Sequence, residues 1–222
     1  MRTFDEIYEI AAKRKGGASE LEKGLSKPLT AKKLAAIPDD RWLSCMAKCV
    51  FQAGFNWKVV EAKWPGTEEA FNGFDLGRCA SMHDEDIERL LSDTRIIRHG
   101  TKIRSVQQNA LFLLDLAQEY GGAGKAFGGW PSEDYIGLLA LLKKHGARLG
   151  GNTGQYFLRF MGVDSFILSR DVVGRLVAEG VVDGPPSSKK ALQAAQDAFN
   201  GWRSESGRSL TEISRVLAMS IG

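Results

Sequence analysis

The sequence contains little cysteine and histidine and no long apolar run. Three cysteines and three histidines occur among 222 residues, and Cys45, Cys49 and Cys79 form no CxxC pair. That excludes a disulfide framework and argues against a Cys/His zinc site. No apolar run approaches the roughly 18 residues of a membrane span, and the acidic, alternating N-terminus is unlike a signal peptide. We therefore expect a soluble, cytoplasmic protein without a metal site.

The charge of the chain has no strong bias of either sign. Lys and Arg number 30 against 27 Asp and Glu, a net charge of +3, and 43% of residues are hydrophobic. These values are typical of a globular protein with a core and exclude wholesale disorder. They permit nucleic-acid binding without indicating it, because such binding depends on where the charges lie and not on the net charge alone.

Helical periodicity dominates the sequence. Residues 102–120 form its clearest amphipathic helix, and no alternating run is long enough for a sheet. Residues 16–29 are rich in Gly, Ser and Lys and predict a loop, and Pro65–Gly66 predict the end of a helix. The fold is expected to be all-α, with about ten helices and no internal repeat.

The segment 142–176 predicts a helix, a glycine-bearing turn, a second helix and an extended stretch. A glycine-rich turn at a helix N-terminus offers free backbone N–H groups to a phosphate. Nearby lysine and arginine side chains add positive charge. The candidate DNA-binding residues of this turn are Lys144, Arg148, Gly150, Gly151, Asn152 and Thr153. Whether the turn also holds a monovalent cation is left open; no other cofactor is expected.

Asp171 follows the extended stretch and is the candidate catalytic residue. A fixed carboxylate stabilises the oxocarbenium charge that develops on a sugar when its bond to a base breaks, and can orient the attacking water. Asp171 could equally be the N-cap of the helix that follows, and the two roles are compatible.

A short basic segment, residues 96–106, joins two predicted helices. Arg98 and Lys102 sit close to a helix N-terminus, where positive side chains oppose the helix dipole, so an external phosphate is their expected partner. A solvated loop is the alternative. His99 has no neighbour in sequence that would orient it as a base.

Three blocks resemble the type I 3-methyladenine DNA glycosylases, which belong to the helix-hairpin-helix superfamily. They are residues 51–57 (FQAGFNW), 74–110 and 143–157 (KKHGARLGGNTGQYF). The resemblance implies a single two-lobed unit over 1–222, with one lobe at about 38–138 and the other formed by 1–37 with 139–222. The groove between the lobes would receive a base extruded from DNA. Residues 164–176 (DSFILSRDVVGRL) resemble the segment of the wider superfamily that carries the catalytic aspartate, which implies that Asp171 is catalytic, or Asp164 if that segment is aligned differently.

The resemblance also implies roles for residues around the first block. An enzyme that acts on a base must extrude it and fill the gap in the duplex. The glycine of FQAGFNW at a helix end predicts a turn that exposes Gln52, Phe55 and Trp57 on a loop. Phe55 stands where the family has its intercalating leucine, Gln52 would contact the stranded partner base, and Trp57 stands at the pocket tryptophan. Cys49 occupies the position of the base-recognition glutamate. Placement of Phe55 and Trp57 in the core is the alternative.

Several departures from the family define the expected function. The zinc ligands are missing, Arg148 replaces the glycine of the general hairpin consensus, and Asn152 stands where lyases carry a Schiff-base lysine. An amide cannot form an imine, so strand cleavage is not expected. We expect a monomeric, monofunctional glycosylase of base excision repair that removes an alkylated purine from double-stranded DNA.

Two other classes of function stay open. One is a non-catalytic DNA-structure-binding protein on the same fold, which the loss of the glutamate at Cys49 favours and Asp171 opposes. The other is a helical protein-interaction module without a role on DNA, which strongly salt-dependent DNA binding would exclude.

Overall fold

A computed structural model describes residues 1–221, and within them the protein contains fourteen α-helices and no strand. Ten of the helices have nine residues or more. The predicted all-α class is confirmed.

Contacts divide the chain into two compact units. Unit 1 consists of Met1–Leu29, Trp130–Leu138 and the chain from Gly162 onward, and unit 2 consists of Thr30–Gly129 and Leu139–Met161. The helices of unit 1 are α1 (Phe4–Lys15), α2 (Ala18–Lys23), α12 (Arg170–Ala178), α13 (Lys189–Ser206) and α14 (Leu210–Met219). The helices of unit 2 are α3 (Ala31–Ala35), α4 (Asp39–Gln52), α5 (Trp57–Ala70), α6 (Leu76–Ala80), α7 (Asp84–Ser92), α8 (Gly100–Tyr120), α9 (Ala123–Gly128) and α11 (Asn152–Phe160). Helix α10 (Tyr135–His145) has residues in both.

The core of unit 2 forms around α4 and α8. Trp42 of α4 is fully buried, and its ring centroid lies 5.2 Å from that of Phe127 in α9 and 5.9 Å from that of Phe157 in α11. Phe157 therefore fixes α11 against α4. The structure accordingly groups residues 139–161 with α4, whereas the predicted lobe boundary at residue 138 places them with the closing helices.

Unit 1 has its own aromatic core. Phe166 stacks on Phe199 with ring centroids 4.2 Å apart, and Tyr135 and Trp202 pack beside this pair. Ser169 ends the extended stretch and caps α12, its side chain accepting from the Val172 N–H. The core thus fixes the segment that carries Asp171.

Two predictions of local structure were wrong. Helix α5 continues through Pro65 to Ala70, because Trp64 donates its indole N–H to Glu68 across the proline and stacks on Phe74 with ring centroids 5.6 Å apart. The predicted loop 16–29 contains α2, whose buried Leu21 gives that short helix a place in the core.

Candidate functional site

The hairpin turn, residues 146–151, joins α10 to α11 as predicted. Gly151 is the N-cap of α11 with φ 59° and ψ −141°, and no side chain makes a capping hydrogen bond there. The N–H groups of the first helical turn therefore face outward without a capping side chain, which suits an anion. Gly150, Gly151 and Asn152 are exposed and Thr153 is half-buried.

Two basic side chains flank the hairpin turn. Lys144, in the last turn of α10, and Arg148 are both exposed. Arg148 adopts φ 62°, the left-handed region that favours glycine, at the position where the hairpin consensus has glycine. The turn thus has a backbone conformation at Arg148 that favours glycine, and it carries a guanidinium group there.

Asn109 binds the backbone of the hairpin turn, and the sequence analysis did not identify this residue. This fully buried side chain of α8 donates to the Ala147 carbonyl oxygen at 3.1 Å and accepts from the Ala147 N–H at 2.7 Å. Its signal was a polar residue on the apolar stripe of residues 102–120, since a buried amide needs partners. Asn109 fixes the turn without touching a ligand.

The wedge loop, residues 53–56, connects α4 to α5. Gly54 has φ +76°, a conformation that side chains rarely adopt, and allows the chain to reverse here. Phe55 is 39% exposed, as expected for a residue that leaves the protein to enter DNA. The prediction that Phe55 lies on an exposed loop is confirmed; its role as a wedge stays a prediction.

Gln52 is not exposed beside Phe55. It is the last residue of α4, is 4% exposed, and donates its side-chain N–H to Glu61 at 3.1 Å. The expectation of an exposed Gln52 was wrong, because Gln52 still belongs to α4 and its side chain is buried against Glu61. A contact with a stranded base would require Gln52 to leave Glu61.

Trp57 belongs to an exposed aromatic cluster with Tyr156 and Phe160 of α11. Its ring centroid lies 5.6 Å from that of Tyr156 and 6.2 Å from that of Phe160, both edge to face. Trp57 is 45% and Phe160 53% exposed. Asn56 caps α5 just before Trp57 and so fixes the backbone of the tryptophan. A half-exposed indole held at its edges is a surface on which a base can stack.

Cys49 cannot replace the glutamate whose position it occupies. It is 5% exposed on α4, and a hydrogen bond with the Cys45 thiol, together with burial, raises the pKa of the Cys49 thiol far above its usual range. A thiol that stays protonated offers no negative charge to a base. Any charge-based recognition of the base must come from another residue.

The basic segment 96–106, which includes the start of α8, contains both exposed and buried residues. Arg98 is exposed, as a phosphate contact requires, and His99 packs its ring edge-on against Phe55 with centroids 6.1 Å apart. Lys102 is 2% exposed, and its ammonium group donates to three backbone carbonyls. The expectation that Lys102 contacts a phosphate was therefore wrong, since its N–H donors already bind carbonyl groups inside the protein.

Asp171 is an exposed residue in the first turn of α12, where the helix dipole favours a carboxylate. It is not the N-cap, because Ser169 has that position. Asp164, the alternative acid, accepts from the Thr211 N–H at 2.9 Å and from the Ser132 hydroxyl at 3.3 Å. Asp164 thus has a structural partner at each oxygen, which leaves Asp171 as the candidate.

Neither a membrane span nor a metal cluster emerges from the described residues. No helix within residues 1–221 is both long and apolar enough to cross a bilayer. Across the same residues, no three His, Cys, Asp or Glu side chains come together as metal ligands.

Comparisons with known proteins agree with this geometry. Residues 37–130 match the model of the methyladenine glycosylase family. DNA-3-methyladenine glycosylase 1 of Escherichia coli (strain K12) is 40% identical over 67 residues, 30% of this chain and 36% of that protein. DNA-3-methyladenine glycosylase of Haemophilus influenzae is 36% identical over 59 residues, 27% of this chain and 32% of that protein. In sequence the chain thus matches about a third of the length of these curated relatives.

A solved structure extends the similarity to the fold. The match with the structure of 3-methyladenine DNA glycosylase I from Staphylococcus aureus covers 64% of this chain and 82% of that protein's chain. The TM-score is 0.51 and the sequences are 24% identical. The protein therefore has the all-helical fold of the type I DNA glycosylases. In sequence, residues 37–130 match the methyladenine glycosylase family model, and the predicted resemblance to that family is confirmed.

Proposed function

We propose that the protein is a monofunctional DNA glycosylase, which hydrolyses the N-glycosidic bond of an alkylated purine in base excision repair. One observation carries the proposal. Unit 2 combines an uncapped hairpin turn, an exposed phenylalanine on the wedge loop and the exposed indole of Trp57. A phosphate anchor, a residue to fill the duplex and a surface for an extruded base are what chemistry on a base requires.

The reaction would be hydrolytic. The bond between the sugar C1′ and the purine nitrogen breaks with its electron pair going to the base, and a water molecule adds at C1′ as a hydroxyl group and releases one proton. An alkylated purine that carries positive charge leaves as a neutral base, so the leaving group needs little help. The carboxylate of Asp171 would stabilise the oxocarbenium charge and orient the water. Asn152 supports hydrolysis without strand cleavage, since an amide forms no imine with the sugar.

The further parts of the proposal concern where the protein acts. Its substrate would be double-stranded DNA with a damaged base, bound by a protein monomer in the cytoplasm. Phosphate contacts at Arg148, Lys144, Arg98 and the hairpin amides would hold every duplex alike, because they read no bases.

A non-catalytic DNA-structure-binding protein is the second candidate. The buried thiol of Cys49 favours it, because that thiol cannot supply the charge of a recognition glutamate. The exposed Asp171 at the start of α12 opposes it.

A panel of duplexes separates these candidates. Each duplex carries one lesion: an alkylated adenine, an alkylated guanine or a deaminated purine, with an undamaged duplex as control. Alkali after incubation reveals abasic sites, and omission of alkali reveals lyase activity. We expect abasic sites on at least one alkylated duplex and no cleavage without alkali. Binding without excision on every duplex would instead establish the non-catalytic function, and salt-independent or absent binding would exclude both.

A further inference from the structure

Lys102 is a buried lysine at the end of α4. Its ammonium nitrogen lies 2.8 Å from the Val50 carbonyl oxygen, 3.0 Å from that of Phe51 and 2.6 Å from that of Ala53. The last carbonyls of a helix have no partner within it and form the negative end of the helix dipole. One ammonium group therefore binds the three backbone carbonyls at the junction between α4 and the wedge loop.

The same ammonium group also supports Phe55. Its nitrogen lies 4.4 Å from the centroid of the Phe55 ring, a distance at which a cation is attracted to the face of an aromatic ring. His99 packs edge-on against that ring. The exposed phenylalanine thus has the buried charge of Lys102 against its ring.

We propose that Lys102 is a positioning residue, which holds the wedge loop and the Phe55 ring in the conformation that enters DNA. The proposal rests on the function proposed above, because it gives that function's wedge its support. Lys102 itself touches no DNA, since its donors are directed to the protein backbone.

The cost of burying this charge supports a role beyond packing. Burial, and to a lesser extent the charge of Arg148, lower the pKa of Lys102 from its ordinary value to about 8. An apolar side chain would fill the same space without that desolvation cost. An apolar side chain could not, however, bind three carbonyls and an aromatic ring at the same time.

The first test substitutes Lys102→Met, with the exposed Lys125→Met in the same unit as a matched control. 2-Aminopurine next to the lesion reports unstacking by its fluorescence, measured with the DNA saturated by protein. We expect unmodified protein and Lys125→Met to raise the fluorescence alike, and Lys102→Met to lose most of that rise while still binding DNA. Excision from the duplex should fall about ten- to a hundred-fold, as a displacement of about 1 Å can cause, with less loss on single strands.

A double-mutant cycle tests whether Lys102 acts through Phe55. In the Phe55→Ala background, Lys102→Met should have little further effect on unstacking, because the group that it positions is gone. Additive losses would overturn the proposal, and so would a full fluorescence rise with Lys102→Met. Because unstacking is read without excision, a protein that unstacks DNA but removes no base contradicts the proposed enzyme and leaves this inference standing. A protein that binds DNA without unstacking it, or binds no DNA, refutes the inference.

The unmodified protein gives a second test that does not depend on the folding of a variant. As pH rises above about 8, Lys102 loses its charge, and unstacking should fall much more than hairpin-dependent DNA binding does. The other ionisable groups at this site are Arg148, whose charge helps to lower the pKa of Lys102, and His99, which packs against the Phe55 ring. Because the folded pKa of Lys102 is below its unfolded value, this titration stabilises the fold between about pH 8 and 10.5. A loss of unstacking there is therefore not unfolding, and a flat profile would overturn the proposal.

Discussion

The hairpin turn and the wedge loop lie in the same unit, and a buried polar side chain of α8 holds each of them. Asn109 binds the hairpin turn and Lys102 binds the wedge loop. The two residues are about two helical turns apart and therefore share one face of α8. One helix thus positions both turns that the proposed function directs at DNA.

The two side chains do this with different chemistry. The amide of Asn109 donates once and accepts once, as a backbone peptide group does, and it carries no charge. The ammonium group of Lys102 only donates, and it satisfies three carbonyls at the expense of its own hydration. The comparison predicts a hairpin turn whose conformation is independent of pH and a wedge loop whose conformation is not.

The largest expected effect concerns Asp171, which lies on neither of these two turns. Asp171→Asn should reduce excision by roughly 10²–10³-fold, because the oxocarbenium charge loses its partner. Ser169 still caps α12, so the variant should fold, and DNA affinity should stay equal or rise as a negative charge is removed. Single-turnover excision and a binding titration measure the two effects. Excision at the unmodified rate would remove Asp171 from the mechanism.

Asn109→Ala should separate the two turns most sharply. Both the N–H and the carbonyl of Ala147 lose their partner, at a cost of about 1–3 kcal/mol for each group left unsatisfied. We expect lower melting temperature and weaker binding to damaged and undamaged duplexes alike, with unstacking by the bound fraction unchanged. The exposed neighbour Gln108→Ala is the control. Selective loss of unstacking would mean that Asn109 serves the wedge loop as well.

Gly151→Ala should deform the hairpin turn without removing a contact. Its φ of 59° and ψ of −141° are almost restricted to glycine, so a side chain adds about 1–3 kcal/mol of strain although space around it is open. DNA affinity should fall about equally for every sequence. Gly184→Ala, at a glycine with negative φ and open space, is the matched control. Equal affinities for the two variants would exclude the hairpin turn as the phosphate anchor.

Arg148→Gly should have the smallest effect. It separates the contribution of the Arg148 charge from that of the backbone conformation at this position. The glycine relieves the left-handed strain at φ 62°, so melting temperature should stay level or rise slightly. If Arg148 contacts one phosphate, the slope of log K against log salt concentration should become shallower by about 0.9. An unchanged slope would show that the guanidinium group contacts no phosphate.

Sequence reasoning succeeded where the signal was local. The amphipathic period of 102–120, the glycines of the hairpin turn and the exposed Phe55 all follow from neighbouring residues. It failed where a distant partner decides. Lys102 has the pattern of a surface lysine, and the carbonyls that bury it belong to residues about fifty positions earlier. Asn109 was overlooked for the same reason, since its partner lies in the hairpin turn.

The wrong helix boundary at Pro65 has a similar origin. The proline interrupts the backbone hydrogen bonds of α5, but Trp64 and Glu68 connect the two sides of it through their side chains. The sequence contains both residues, yet their contact becomes visible only once the helix is assumed to continue.

The proximity of Arg148 to Lys102 has a consequence for proton binding. Arg148 is one of the two causes that lower the pKa of Lys102, so a phosphate that neutralises Arg148 raises that pKa again. Anion binding at the hairpin turn and protonation beneath the wedge loop then favour each other, and by reciprocity each strengthens the other equally. If the hairpin turn binds a DNA phosphate as proposed, the protein should take up part of a proton near pH 8, and Lys102 beneath the wedge loop should be protonated most fully when DNA is bound.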